Sequence, residues 1–195
     1  MNNAFRGDRA FLSNMYSVSL YWNGRLFPSS ESAYQAEKCP QFADKICSMS
    51  GRDAKSFTRS IPARPDWEKV NVGIMHGILR AKFSQNERLA KKLMSTGDEV
   101  LCENNTWGDT FWGVCNGVGE NMLGRLLMQV RNELHNGVLP ILPEKERNLV
   151  FAYLSGLSNM ELADINECLK FSFETDQIPA DSYYTLLRIL NNIKE

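Results

Sequence analysis

Apolar residues in this chain recur at intervals of three and four along most of its length, a period that commits it to packed amphipathic helices and leaves room for little sheet. Val70, Ile74, Ile78 and Ala81 mark a long helix that follows the capping run Arg64-Pro65-Asp66-Trp67. Met122, Leu123, Leu126, Leu127, Val130 and Leu134 mark a buried-face helix expected over 120–135 and closed by Gly137. Shorter helices are expected over 31–39, 51–60 and 86–94, stopped by Pro40, Pro62 and Gly97. One segment breaks the period. Its β-prone runs 17–22 and 25–28 flank Asn23-Gly24, the dipeptide that favours a type I′ turn, so a β-hairpin is expected there. A short strand is expected over 99–103, followed by a loop over 104–119 rich in Gly, Asn and aromatics.

The chain of 195 residues, 43% hydrophobic and 23% charged, can bury a real core, and no run approaches the length of apolar residues that a membrane span needs. The opening residues lack the apolar centre of a signal peptide, and five scattered cysteines argue for reduced thiols, so a cytosolic location and no membrane partner are expected. Neither histidine has a second His or a Cys at ligand spacing; no metal and no cofactor are expected. Charge is uneven: residues 1–139 hold 17 Lys+Arg against 14 Asp+Glu, net +3, and residues 140–195 hold 5 against 9, net −4. A catalytic domain is expected over 1–139 and a helical extension over 140–195, with helices near 144–154, 159–170 and 180–193. The stretch 154–163 superficially resembles a helix-turn-helix, but its acidic surroundings oppose binding to DNA phosphates.

Three clusters carry chemistry. On the expected first helix Glu31, Tyr34 or Gln35, and Lys38 recur at spacings of three, four and seven and project from one face. Glu31 lies in the first helical turn, where the helix dipole favours the ionised form, which suits a base or a cation stabiliser better than a proton donor. The same spacing also describes a solvated face with Glu31 as a capping carboxylate. In the loop, Trp107, Asp109, Phe111, Trp112 and Gly113, followed by Asn121, supply aromatic planes, a carboxylate and close backbone approach for a stacked ring; core aromatics and turn glycines look the same. Arg52, Lys55 and Arg59, with Arg64 beyond, can form a cationic fork for phosphate or a solvated basic face. Arg6 and the Ser13-Asn14 pair are further candidate contacts, or caps and turns.

Taken together, Phe11-Leu12-Ser13-Asn14, Pro28-Ser29-Ser30-Glu31-x-Ala33-Tyr34-Gln35-Ala36-x-Lys38, Arg64-x-Asp66-Trp67, Lys82-Phe83-x-Gln85-Asn86, Asp109-x-Phe111-Trp112-Gly113 and Asn121-x-Leu123-Gly124 resemble the NADAR (YbiA-like) family, in order and spacing from about Phe5 to Leu134. The resemblance implies a mainly α-helical fold with a small β element and an enzyme that hydrolyses N-glycosidic bonds. Members are similar to enzymes that cleave ribosylamino-pyrimidine phosphates of early riboflavin synthesis and to enzymes that remove ADP-ribose from guanine in nucleic acid. It implies a small nucleotide-like substrate, ADP-ribose or ribose phosphate in type, with an ADP-ribosylated nucleic acid as a second candidate partner. Glu31, Lys38 and Asp109 would be catalytic. Trp112 and Trp67 would stack on the base, Asp109 and Asn121 would bond sugar hydroxyls, and Arg6, Lys55 and Arg64 would meet phosphate. Ser13, Asn14, Tyr34, Gln35 and Gly113 complete the expected site. A ribose on an exocyclic nitrogen opens to an imine that Lys38 could exchange with, or water could displace the base directly with help from Glu31 or Asp109. The competing class is a module that senses NAD or ADP-ribose without cleaving it, followed by an interaction protein built on the acidic extension.

Overall fold

A computed structural model describes residues 5–145 together with 147, 148, 151, 167, 170 and 174. The expected hairpin forms: β1 (Leu20–Trp22) pairs antiparallel with β2 (Arg25–Phe27), Leu20 opposite Phe27 and Trp22 opposite Arg25. Asn23 and Gly24 between them both have positive φ, 42° and 82°, as a type I′ turn requires. The helices are α1 (Ser30–Lys38), α2 (Ala43–Ile46), α3 (Gly51–Thr58), α4 (Trp67–Ser84), α5 (Glu87–Met94) and α6 (Met122–His135). Ser29 caps α1 by accepting from Ser32 N, and Ser50 caps α3 by accepting from Asp53 N. Of these α2 has no expected counterpart, because four residues are too few to show a period.

The expected strand over 99–103 is not formed. Strand structure begins one residue later, as β3 (Asn104–Asn105), which pairs in parallel with β4 (Val114–Cys115). The intervening turn is held by Asn105, whose Oδ1 accepts from the N–H groups of Trp107 and Asp109 while its Nδ2 donates to Asp109 O at 2.7 Å. A two-residue parallel ladder built on side-chain clamps leaves no alternating pattern to read.

Helix α4 is the axle. Its buried residues Met75, Ile78, Leu79, Ala81 and Phe83 meet α1, α5, α6 and β1. At its C-terminal end the Gln85 side chain acts as a substitute strand for the hairpin, accepting from Tyr21 N at 2.7 Å and donating to Tyr21 O at 2.9 Å. Asn86 adds a bond to Ser19 O, and Trp22 Nε1 donates to Glu37 of α1 at 2.7 Å. Backbone groups of a two-stranded sheet that would otherwise be buried unpaired are thereby satisfied. Among the described residues no helix is long and apolar enough to cross a membrane. Residues 144, 145, 147, 148 and 151 are helical, as expected for a run from 144; the remainder of that run, the helix-turn-helix-like stretch 154–163, the run 180–193 and most of 159–170 lie outside the described residues.

Lys82 follows Ile78 by one helical turn and is fully buried on the same apolar stripe. Its Nζ donates to Ser13 O at 2.9 Å and lies 5.8 Å from the Tyr16 ring centre and 5.2 Å from that of Phe83. Burial pushes its ammonium from the ordinary 10.5 down to about 7. The unfolded chain therefore binds more protons than the folded one between those values, and folding stability should rise with pH across that interval. Urea unfolding of the wild type from neutral pH to about pH 10 is expected to show this rise, and Lys82→Met to lose it. An identical slope in the two proteins would exclude Lys82 as its source.

Candidate active site

Helix α1 enters the protein along its first turn: every residue from Ser30 to Ala36 is buried, Glu31 and Gln35 among them at 6% exposure each. Glu31 is neither a solvated residue nor an exposed cap. Gly51 makes this possible, because a Cβ there would come within 2.9 Å of Glu31 Cβ and 2.8 Å of Ser29 Oγ. Close packing of α3 on α1 carries Lys55, one turn along α3, to 3.9 Å from Glu31 Oε1. From within α1, Gln35 Nε2 donates to the same Oε1 at 2.9 Å, and the Thr58 hydroxyl donates to Gln35 Oε1 in turn. The Glu31 backbone N–H donates to Asn14 O at 2.9 Å.

These elements wall a cavity of about 560 Å³, within the size range of small-molecule sites. Glu31, Lys38, Lys55 and Asp109 bring charge to it. Tyr34, Trp67 and Trp112 bring aromatic surface, with Tyr34 4.8 Å from Trp67 and 5.6 Å edge-on from Trp112 between ring centres. Ser13, Asn14 and Gln35 line it as well. Asp109 is held by the turn it closes, its Oδ1 accepting from Phe111 N at 3.2 Å and Trp112 N at 2.9 Å. A second hollow of about 470 Å³ runs beside α5 among Glu87, Arg88, Lys91 and Lys92, and no aromatic side chain lines it.

The expected ionisation of Glu31 is reversed. Burial raises its carboxyl above the ordinary range, the charge of Asp109 adds to this, and Lys55, Gln35 and Lys38 only partly offset it. Loss of water around the carboxylate outweighs the helix dipole, so Glu31 is suited to hold and deliver a proton.

Four expected contacts do not line the cavity. Arg64 spends its guanidinium on both oxygens of Asp66, at 2.6 and 3.0 Å, and on Glu37 at 3.6 Å. Asn121 spends both ends of its amide on the neighbouring segment, accepting from Glu103 N at 3.0 Å and donating to Leu101 O at 2.8 Å. Gly113 turns its missing side chain toward Glu103, whose carbonyl any Cβ would strike, and Arg6 is exposed beside Glu103. Conversely, Glu103 and the apolar Met15, Met75 and Leu123 line the cavity without having been assigned to the site, and Trp107 of the aromatic loop cluster lines it as well. Glu103 sits six residues before Asp109 in a run read as strand, where a charged residue passes for an outward-facing one.

Because burial of Glu31 opposes its charge, its contribution to stability is present below the unfolded carboxyl value and is lost as pH rises through the raised folded value. Glu31→Gln keeps the shape and removes that penalty. Its melting temperature is expected to exceed the wild type's by on the order of a few degrees at mildly alkaline pH, the gap closing in acid. A lower melting temperature at every pH would contradict this account of the site.

Comparison with known proteins gives the same region of the chain. The NADAR domain matches residues 4–135. An N-glycosidase, YbiA, of Escherichia coli is 35% identical over 138 residues, covering 65% of this chain and 82% of that protein. A riboflavin biosynthesis protein of Vibrio vulnificus is 39% identical over 133 residues, 65% of this chain but only 36% of that longer protein. The NMR structure of E. coli YbiA superposes with a TM-score of 0.63 at 32% identity, covering 70% of this chain and 84% of that one.

Proposed function

This chain belongs to the NADAR domain family, and from that membership we propose that it is a hydrolase that cleaves the N-glycosidic bond between a ribose phosphate or ADP-ribose and a base amine. The observation that carries this reading is the meeting of Glu31, Lys38, Asp109 and Trp112 in one cavity large enough for a sugar and its attached ring. A binding module needs the shape and the aromatic planes. It has no use for a buried proton-holding carboxyl beside an amine, which is costly to keep.

The chemistry runs as follows. The ribosylamine ring opens, Glu31 supplying the proton that the ring oxygen takes up, and an imine forms between C1′ and the base nitrogen. Lys38 adds its amine to C1′ and the base amine leaves, so that the sugar is held as a Schiff base on Lys38. Water then releases the sugar and restores the lysine. Tyr34, Trp67 and Trp112 hold the ring, and Lys55 both steadies Glu31 and offers a charge to phosphate. Direct displacement by water uses the same groups with Lys38 as a binding residue only.

Relatives named for riboflavin synthesis favour a ribosylamino-pyrimidine phosphate as substrate. Trp107, 60% exposed at the cavity, favours the larger alternative, an ADP-ribosyl-guanine carried on a polynucleotide, because an open aromatic plane can stack a flanking base. A cytosolic location, as expected from the thiols, belongs to the same proposal.

Borohydride added during turnover of either substrate is expected to trap a covalent sugar adduct in the wild type and none in Lys38→Ala. Glu31→Gln is expected to lose about 10²–10⁴ in rate. Turnover without any trapped adduct would transfer the reaction to direct displacement, and failure to release a base from either substrate would reject the hydrolase.

A further inference from the structure

The cavity holds a carboxyl group that the scheme above does not use. Glu103 lines it, on the loop segment that leads into β3. The backbone of Glu103 is fixed on both sides: its N–H donates to Asn121 Oδ1 at 3.0 Å, and its carbonyl accepts from Val114 N at 2.9 Å. Gly113 leaves open the space against that carbonyl, and a Cβ there would also come within 3.3 Å of Glu103 Cγ. Arg6 lies near enough to act on the carboxyl by its charge, and the Phe5 backbone bonds to it. Arg6, Gly113 and Asn121, three of the four expected contacts that do not line the cavity, thus converge on one residue. One oxygen of that carboxyl, Glu103 Oε2, is buried with no hydrogen-bond partner among the described residues. Leaving a buried polar atom unpaired is costly, a cost that a fold tolerates where the group has work to do.

Resting on the hydrolase reading, we propose that Glu103 is a further catalytic residue, the proton carrier for the departing base. When the bond between C1′ and nitrogen breaks, its electron pair stays on nitrogen. The amine leaves as a neutral molecule only if that nitrogen gains a proton, and the Glu103 carboxyl gives it. The carboxylate left behind recovers a proton from the water whose oxygen ends on C1′. Substrate and water thereby become free sugar and free amine with the enzyme unchanged. The balance is the same whether that water attacks directly or hydrolyses the Lys38 imine.

The surroundings suit this duty. Burial first, and then the charge of Asp109, push the Glu103 carboxyl up to about 7, against the opposing pull of Arg6 and the Phe5 backbone. The other charged or titratable groups around it are Cys102 beside it and, on the walls of the same cavity, Glu31, Tyr34 and Lys38 of α1 and Lys55 of α3. The acid form is present near neutral pH and is lost as pH rises through that value. Glu31 stands against Lys55 and Lys38, so the two carboxyls serve different ends of the bond.

The test varies the leaving group. Ribosylamine phosphates of para-methoxyaniline, a poor leaving group, and of para-nitroaniline, a good one, are given to wild type, Glu103→Gln and Glu103→Asp, and kcat/KM is followed from about pH 5 to 9. Glu103→Gln is expected to lose about 10²–10³ on the methoxy compound and under about tenfold on the nitro compound. The loss in Glu103→Gln relative to wild type should be largest in acid and shrink as pH rises through about 7, where wild-type Glu103 itself gives up its proton, while Glu103→Asp, still an acid, keeps part of the wild-type rate on the methoxy compound. Equal losses on both amines, or a loss in Glu103→Gln that is the same at both ends of the pH range, would overturn the role of Glu103 and leave the hydrolase intact. Wild type that frees neither amine would overturn both.

Discussion

The structure turns on a polar helix that is buried. Seven consecutive residues of α1, Ser30 to Ala36, are shielded from water, although the run contains two serines, a glutamate, a tyrosine and a glutamine. Polar groups taken out of water need partners, and those that Ser32, Glu31 and Gln35 find fix the neighbours. Ser29 and Ser32 satisfy one another at the helix start. The Glu31 N–H holds the Ser13-Asn14 loop through Asn14 O, and Gln35 ties Glu31 to Thr58 at the far end of α3. The cavity is the space these obligations leave between α1, the Asp109 turn and α4.

Among the ionisable groups that burial displaces from their ordinary behaviour are Glu31 and Glu103, upward, and Lys82, downward. Their positions separate their duties. Glu31 and Glu103 face the cavity, where a carboxyl whose hold on its proton is strengthened is chemically useful. Lys82 faces the inside of the fold and donates a hydrogen bond to Ser13 O, one residue from the carbonyl that receives the Glu31 N–H. The Lys82 side chain and the Glu31 backbone thus hold neighbouring carbonyls of one short piece of backbone, and Ser13 and Asn14, which carry those carbonyls, line the site.

Most of the family signature is support. Gln85 and Asn86 hold the hairpin, Arg64 joins Asp66 and Glu37 beneath the end of α1, and Asn121 and Gly113 frame the segment that carries Glu103. Gly124 belongs with them, since a side chain there would run into Leu101 O. Residues of this kind are as restricted as catalytic ones because their geometry sets the catalytic geometry within fractions of an ångström.

Helix period, the Asn23-Gly24 hairpin and the serine caps were decided by residues close together in the chain, and the sequence by itself determined them, along with the family and most of the side chains that meet in the cavity. Tertiary structure alone decided that Glu31 is buried and its carboxyl raised above the ordinary range, that Arg64 and Asn121 are spent on neighbours, and that Glu103 rather than Gly113 reaches the cavity. Those outcomes depend on how much water is excluded and on which charges come to face each other. Both are sums over elements dozens of residues apart, as when Gly51 lets α3 close over Glu31 or Ser13 meets Lys82, and no local pattern of residues carries such a sum.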